Sequence, residues 1–214
     1  MKKTKLSPST LNLFAECPRC FWLQFRKGIG RPKGPFPSLP IGMDSVIKKY
    51  FETYRGQGEL PLILKDKIKG KLALSMPKTL SYLDEDTGYT LYGRPDEYLE
   101  LSGELIAPLD HKTRASAPKE LLPVYQNQLD IYDYLLAKMD YKTAGKAYLV
   151  YYHPAPGVLH EGFPFETTVK EIETEPDSAE ELFRKAIELL ENEDLPASAE
   201  TCVFCAWAQS VRDL

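Results

Sequence analysis

The sequence predicts an α/β fold whose helical N- and C-terminal flanks close on each other. Three observations lead to this prediction. Strand-like runs occupy the middle of the chain, at residues 89–101, 105–113, 145–153 and 163–172. Segments of helical periodicity lie before, between and after them, at residues 8–26, 43–54, 118–139 and 178–193. A Cys-x-x-Cys pair lies near each end of the chain, where a shared metal would join the two flanks.

Local signals place the elements. Ser7 can cap the first helix and Pro8 suits its first position, and apolar residues recur at helical spacing up to about Arg26. A Gly/Pro-rich loop precedes the second helix, and the basic stretch after that helix is expected to hold a short strand or helix. The tail at 195–207 is predicted to be a loop. We expect one domain: an N-terminal helical flank (1–60), a core (61–175) and a C-terminal helix with a cysteine-containing tail (176–214).

Composition limits the classes of function. A net charge of −4 argues against strong, indiscriminate coating of nucleic acid, although basic residues cluster at 65–78 and at 27–33. No uninterrupted apolar run approaches the roughly 20 residues of a membrane helix, so we expect no membrane partner. The basic N-terminus lacks the apolar region of a secretory signal, which predicts a cytoplasmic location.

Two carboxylates are predicted to meet in a hairpin. If the hairpin is symmetric about Gly103, Asp96 lies opposite Asp110, and their Cβ atoms are roughly 4.5–5.5 Å apart. Such a pair repels unless a cation lies between the carboxylates, and Mg²⁺ or Mn²⁺ prefers oxygen ligands. Lys112 projects to the same face as Asp110, and His111 to the other. A surface salt bridge on a hairpin is the alternative interpretation.

The segments GRPDE and PLDHKT, followed by the helical QNQLDIY, resemble the PD-(D/E)xK nuclease superfamily. The resemblance is to nuclease domains of the RecB and AddB type, which the CRISPR-associated adaptation nucleases share, and it extends from residues 6–23 to 202–207. It implies a restriction-endonuclease-like core in which helices flank a mixed central sheet. It also implies catalytic roles for Asp96 and Asp110 as metal ligands, Lys112 as an aid to the attacking water, and Gln128 and Tyr132 as supports for the site and the DNA backbone.

The third metal ligand departs from the family pattern. The resembled nucleases have a His or Glu ligand on the helix after the first loop, and Val46 occupies the position where that His is often found. Asp44 is the nearest carboxylate. We expect it either to replace the missing ligand or to cap or salt-bridge its own helix, and Lys48 would share its face.

The four cysteines, Cys17, Cys20, Cys202 and Cys205, suggest a second metal site. Cytosolic proteins rarely keep structural disulfides, whereas four thiolates suit zinc or an iron–sulfur cluster. Cys17 and Cys20 are predicted to lie on one face of the first helix. The resemblance implies a [4Fe–4S] cluster, because several members of the family carry one, and Zn²⁺ is the alternative. The usual family pattern is one upstream and three downstream cysteines, so this chain departs from it, and four unligated buried thiols remain an option.

The sequence therefore predicts a Mg²⁺- or Mn²⁺-dependent DNA nuclease that acts in an exonuclease-like manner on single-stranded or end-containing DNA. One rival is a catalytically inactive module on the same fold that binds nucleic acid or protein. A second alternative is a structural protein in which a metal bound by the cysteines stabilises the fold and the hairpin carboxylates have no role. His153 and His160 lie outside the motifs and are expected to be surface or turn residues.

Overall fold

The computed structural model describes residues 4–35 and 37–212. Within these ranges the chain forms eight strands and six helices, with short 3₁₀ turns at Ser102–Glu104 and Leu159–Glu161. In chain order the elements are β1 (Lys5–Leu6), α1 (Pro8–Glu16), α2 (Pro18–Arg26), α3 (Ser38–Arg55), β2 (Lys71–Leu72), β3 (Leu80–Leu83), β4 (Thr90–Gly93), β5 (Glu97–Glu100), β6 (Ile106–Thr113), α4 (Pro123–Lys138), β7 (Lys146–Pro154), β8 (Phe165–Glu173), α5 (Pro176–Glu191) and α6 (Val203–Arg212).

The central sheet is mixed, as the sequence predicted. Its five strands are ordered β2-β5-β6-β7-β8, and only the β6–β7 pair is parallel. Helix α4 connects these two parallel strands, because parallel neighbours need a long crossover. A second sheet has the order β1-β4-β3, with β1 parallel to β4.

The prediction of one continuous strand at 89–101 is wrong, because this segment forms two strands that belong to different sheets. Strand β4 ends at Gly93 and β5 begins at Glu97. Pro95 lies in the break and has no N–H group to offer a strand ladder. The break also lies against α4, since a Cβ atom at Gly93 would come within 2.8 Å of the Tyr132 ring.

The register of the β5–β6 hairpin follows the predicted symmetry. Glu97 pairs with Leu109 and Tyr98 with Pro108. Extending this register by one residue places Asp96 beside Asp110. The turn contains Gly103 at φ 76°, a conformation that glycine adopts readily.

Both ends of the chain differ from their predicted elements. The single helix expected at 8–26 is two helices, because Cys17 is extended (φ −157°, ψ 105°) and Pro18 starts α2. A residue before proline disfavours helical geometry, which explains the break. Cys17 and Cys20 therefore do not share a helix. The tail predicted to be a loop instead contains α6, which begins directly after Cys202.

Helices cover both faces of the central sheet. Phe51 of α3 packs with Leu109 and Val150 on one face, and Leu129 of α4 packs with Leu149 on the other. Such two-sided burial is typical of sheets that contain parallel strands. In the part of the chain that the structure describes, no helix has the length and apolar character needed to cross a membrane.

Candidate active site

The start of β5 and the end of β6 bring the predicted hairpin residues together. Asp110 is only 4% exposed, and its Oδ2 forms an ion pair with the ammonium of Lys112. Asp96 lies directly before β5, and its Oδ2 accepts a hydrogen bond from the backbone N–H of His111 at 2.9 Å. The backbone of β6 thus fixes one carboxylate while its side chains supply the other carboxylate and the ammonium.

Helix α4 adds Gln128 and Tyr132, the two residues predicted to support the site. The Gln128 amide donates to Asp110 Oδ1 at 3.0 Å, and its oxygen accepts from Lys112 Nζ at 2.9 Å. The amide nitrogen also lies 2.7 Å from the Tyr132 hydroxyl, which donates to the backbone carbonyl of Arg94 at 3.2 Å. Gln128 and Tyr132 share a helix face because they are four residues apart.

Burial sets the protonation of this cluster. Desolvation raises the pKa of Asp110 to about 6; the Lys112 charge opposes this shift, whereas the Asp96 charge adds to it. A cation between the two carboxylates would favour their ionised forms. Burial also raises the pKa of Tyr132, so its phenol remains a hydrogen-bond donor at neutral pH.

Helix α3 contributes a second ammonium. Lys48 Nζ lies 2.9 Å from Asp44 Oδ2 and 3.4 Å from Asp96 Oδ1. Asp44 is therefore connected to Asp96 through Lys48. Val46 is 68% exposed and lies about 200° around the helix from Asp44. Val46 and Asp44 therefore lie on different faces of α3.

The donor set at this site fits a hard divalent cation. Asp96 and Asp110 offer carboxylate oxygens, the ligands that Mg²⁺ and Mn²⁺ prefer. In this structure the ammonium of Lys48 contacts one oxygen of Asp96, and that of Lys112 contacts one oxygen of Asp110. Within 4–35 and 37–212, the only metal-sized group of three or more ligand side chains is formed by cysteines. The carboxylates would thus supply part of a coordination shell, to be completed by water or phosphate oxygens.

Two residues important to this region were missed in the sequence, Arg55 and Glu97. Glu97 is 2% exposed, and Arg55 Nε donates to its Oε2 at 2.7 Å. Because side chains alternate along a strand, Glu97 projects to the opposite face of the sheet from Asp96, where it is buried. A carboxylate at a core-facing position requires a partner, so the position of Glu97 in the strand pattern could have indicated a buried ion pair.

His111 faces the opposite side of β6 from Lys112, as expected from strand alternation. Its ring lies 4.5 Å from the ring of Phe51 on α3 and also contacts Tyr152. Burial lowers the pKa of His111 to about 4, so the imidazole is neutral at physiological pH.

The four cysteines converge, as predicted. Sγ of Cys20 lies 3.6 Å from that of Cys202 and 3.6 Å from that of Cys205, and the Cys17–Cys205 distance is 3.8 Å. All four sulfur atoms lie within 4.8 Å of one another. The junction of α1 and α2 is thereby held against the start of α6, and this group could bind a metal.

A cation and the α6 backbone support the cysteine group. Arg31 Nη2 donates to Cys202 Sγ at 3.5 Å, and its Nη1 pairs with Glu16 at 2.7 Å. Burial raises the pKa of the Cys202 thiol, but hydrogen bonds from the backbone N–H of Cys205 and from the neighbouring thiols outweigh it and lower the pKa to about 6. A lowered pKa favours the thiolate, which is the form that binds metals.

The two basic clusters noted in the sequence are partly engaged within the protein. Lys71 forms an ion pair with Glu100 at 2.9 Å, and Lys67 donates to the backbone of Thr167. Arg31 belongs to the cysteine group. These contacts reduce the charge that either cluster can offer to a nucleic acid.

A groove of about 420 Å³ opens beside the candidate active site. Gln128 and Tyr132 form part of its wall, which connects it to the carboxylates. Arg94 is exposed there, and its Nε donates to Thr79 Oγ1 at 3.1 Å. The other lining residues come from the start of α1, the end of β4 and the start of α4: Ser7, Pro8, Ser9, Asn12, Tyr92, Gly93, Val124 and Tyr125.

Comparison with known proteins gives one family and several solved structures. A family model described as the PD-(D/E)XK nuclease superfamily matches residues 55–210. The crystal structure of SSO0001 is 16% identical, with 92% of this chain and 81% of that chain covered and a TM-score of 0.49. An alkaline exonuclease (LHK-Exo) from Laribacter hongkongensis is 11% identical, with 98% and 92% covered and a TM-score of 0.44. The same exonuclease in complex with dAMP is 13% identical, with 87% and 86% covered and a TM-score of 0.45. No curated protein matches.

Proposed function

Since the chain belongs to the PD-(D/E)XK nuclease superfamily, we propose that it hydrolyses phosphodiester bonds in DNA with Mg²⁺ or Mn²⁺, and that it acts on single-stranded or end-containing DNA. The observation that carries this proposal is the hydrogen-bonded cluster in which Lys112 and Gln128 both contact Asp110. Asp96 enters the same cluster through the backbone of His111.

Asp96 and Asp110 would hold the cation, and Asp44, which Lys48 connects to Asp96, would have to turn towards them to act as a third ligand. When bound, the cation polarises phosphoryl oxygens and lowers the pKa of a water molecule. The buried position of Asp110 supports this role, because a carboxylate removed from water gains more from a neighbouring cation than an exposed one does.

Lys112 is the group placed to act on the water and on the developing negative charge. Its ammonium carries three donors, and Asp110 and Gln128 take two of them. The ammonium also lies 4.8 Å from the centre of the Tyr125 ring, so a water or phosphate oxygen would approach it beside that ring. Fixing the ammonium before the substrate arrives reduces the reorganisation that accompanies the reaction.

Gln128 and Tyr132 act as positioning residues. Gln128 holds Asp110 and Lys112 at once, and Tyr132 ties Gln128 to the backbone at Arg94. A continuous chain of hydrogen bonds therefore runs from the β4–β5 break to the ammonium. A shift of the break or of α4 would displace Lys112, and displacements of about 1 Å are known to reduce catalysis substantially.

The groove beside the site supports a single-stranded substrate. Its volume of about 420 Å³ lies within the roughly 300–1,000 Å³ range of small-ligand sites, so it has room for a nucleotide. The ring of Tyr92 can stack on a base, and Arg94 can pair with a phosphate. A strand in this groove would reach the carboxylates past Gln128.

A single domain spanning residues 1–214 is also part of the proposal. One hydrophobic cluster contains Leu11 of α1, Phe21 of α2, Leu135 of α4 and Phe183 of α5. Because the helical flanks share this cluster with the core, they support one folding unit.

A cleavage assay tests the function. Linear single-stranded, circular single-stranded and linear duplex DNA are each incubated with Mn²⁺, with Mg²⁺ and with EDTA. We expect metal-dependent loss of the linear single strand and slower loss of the circle. Asp110→Asn should abolish cleavage, whereas the exposed Asp86→Asn should not. Equal cleavage by Asp110→Asn would refute the assignment, and DNA binding without cleavage by the wild type would favour the inactive module.

A further inference from the structure

The four-cysteine group does not fit the cluster that the family resemblance implies. We propose that Cys17, Cys20, Cys202 and Cys205 hold one tetrahedral zinc ion instead of a [4Fe–4S] cluster. This inference stands on sulfur spacing and ligand chemistry, and it is independent of the proposed nuclease activity.

The sulfur spacing matches a single ion. Four thiolates bound at about 2.3 Å to one ion lie about 3.8 Å apart along the edges of a regular tetrahedron. The observed separations of 3.6, 3.6 and 3.8 Å agree with this value. In a cubane cluster each thiolate binds a different iron, so the four sulfur atoms must surround eight inorganic atoms. Sulfur atoms that all lie within 4.8 Å of one another leave no such space.

Local backbone hydrogen bonds order the segments that carry Cys17 and Cys202. The Cys17 N–H donates to Leu13 O at 2.9 Å, and the Cys202 N–H donates to Ala199 O at 3.1 Å. The Ala206 N–H donates to Cys202 O at 3.0 Å, which begins α6 at the metal site.

The ligand set is that of a closed structural site. Two Cys-x-x-Cys pairs that supply four thiolates are typical of structural zinc sites, which have no open coordination position. Cys17, Cys20 and Cys202 are buried, so water has little access to the ion. One dication with four thiolates carries a net charge of −2, which the guanidinium of Arg31 beside Cys202 partly offsets.

Metal analysis of the intact protein tests the proposal. The protein is produced in medium supplemented with both iron and zinc and purified without oxygen, and zinc, iron and acid-labile sulfide are then measured per chain. We expect one zinc, no sulfide and a colourless solution. Stoichiometric iron and sulfide with a brown colour would overturn the inference, and so would one iron without sulfide.

A pair of variants assigns the zinc to these cysteines. Cys205→Ser should lose one equivalent of zinc and melt at a lower temperature, because a metal bound only by the folded state adds to stability. The neighbouring, exposed Thr201→Ala should keep both the zinc and the melting temperature. If Cys205→Ser fails to fold, Co²⁺ replacement in the wild type gives a second readout. A visible spectrum of tetrahedral cobalt thiolate supports the proposal, and its absence contradicts it.

Discussion

The guanidinium of Arg55 forms a bidentate ion pair with the buried carboxylate of Glu97. Its Nε lies 2.7 Å from Oε2, and its Nη2 contacts Oε1. Arg55 is the last residue of α3, and Glu97 directly follows Asp96. The pair therefore fixes the end of the helix that carries Asp44 and Lys48 to the strand that begins beside the candidate metal ligand.

Breaking this pair should destabilise the protein. Arg55→Met leaves a carboxylate unpaired in the core, and such a change costs about 3–5 kcal/mol. Urea denaturation measures the loss. Adding Glu97→Gln should recover much of it, since the second substitution removes the unpaired charge. Arg184→Met breaks an exposed pair with Glu180 and should change little. Equal losses for Arg55→Met and Arg184→Met would contradict the stabilising role of the buried pair.

The hydrogen bonds of Gln128 and Tyr132 predict graded losses of activity. Gln128→Leu removes the contacts to both Asp110 and Lys112 and should lower kcat by roughly 10²-fold. Tyr132→Phe keeps the ring against Gly93 but loses the hydroxyl contacts, so we expect a smaller decrease with little change in KM. Tyr134→Phe makes the same chemical change in a separate part of the core and serves as the control. Activities of Tyr132→Phe and Tyr134→Phe that both equal wild type would restrict Tyr132 to packing.

Asp44 and Lys48 should have opposite effects on the metal requirement. Lys48→Met removes the ammonium that competes for Asp96 and should lower the Mn²⁺ concentration for half-maximal cleavage, whereas the exposed Lys49→Met should not. Asp44→Asn should raise that concentration, by roughly tenfold. If Asp44 is a ligand, the effect persists in the Lys48→Met background. Its disappearance there would show that Asp44 acts only by holding Lys48.

Arg94 should contribute to DNA binding through phosphate contact. Binding of a labelled single strand is measured by fluorescence anisotropy in Ca²⁺, at several KCl concentrations. Arg94→Ala should weaken binding at low salt and reduce the salt slope by about one. Lys185→Ala, on an exposed face of α5, should change neither quantity. An unchanged slope for Arg94→Ala would remove Arg94 from the DNA path.

Asp133 on α4 predicts a pH-dependent stability difference. Burial raises the pKa of Asp133, although the hydrogen bond that its Oδ2 accepts from the Thr174 hydroxyl lowers it. A raised folded-state pKa means that the folded protein holds this proton more tightly than the unfolded chain, so stability falls as pH rises from the unfolded pKa through the folded one.

The variant Asp133→Asn removes this penalty. Its melting temperature should exceed that of wild type at pH 7 by a few degrees, and the excess should shrink towards pH 4. The exposed Asp86→Asn controls for the loss of one negative charge. A constant difference between Asp133→Asn and wild type across the pH range would exclude the linkage.

The hairpin shows which parts of the site the sequence could predict. A turn centred on Gly103 and a side-chain period of two were sufficient to place Asp96 beside Asp110 and Lys112 on the same face as Asp110. These are local rules, and the observed register follows them. The supporting role of Gln128 was implied by the family resemblance alone, and its contact with Asp110 depends on α4 being the crossover between the parallel strands.

Other features depend on distant partners. The split between β4 and β5 had a local signal in Pro95, but the pairing of β4 with β1 near the N-terminus joins residues far apart in the chain, which local periodicity cannot reveal. The Lys48–Asp96 contact depends on how α3 crosses the sheet. The break at Cys17 did have a local signal in Pro18, but the helical spacing of apolar residues on both sides concealed it.

The cysteine site also constrains the order of folding during synthesis. Domains usually begin to fold from the N-terminus while the chain is still being made. Here the contact between the first helices and Cys205 cannot form early in synthesis, because Cys205 is translated 185 residues after Cys20. Until then Phe21 and the other apolar residues of α1 and α2 lack part of their final packing and are open to chaperones or aggregation. A nascent chain that ends before Cys202 therefore contains only half of the four-cysteine group.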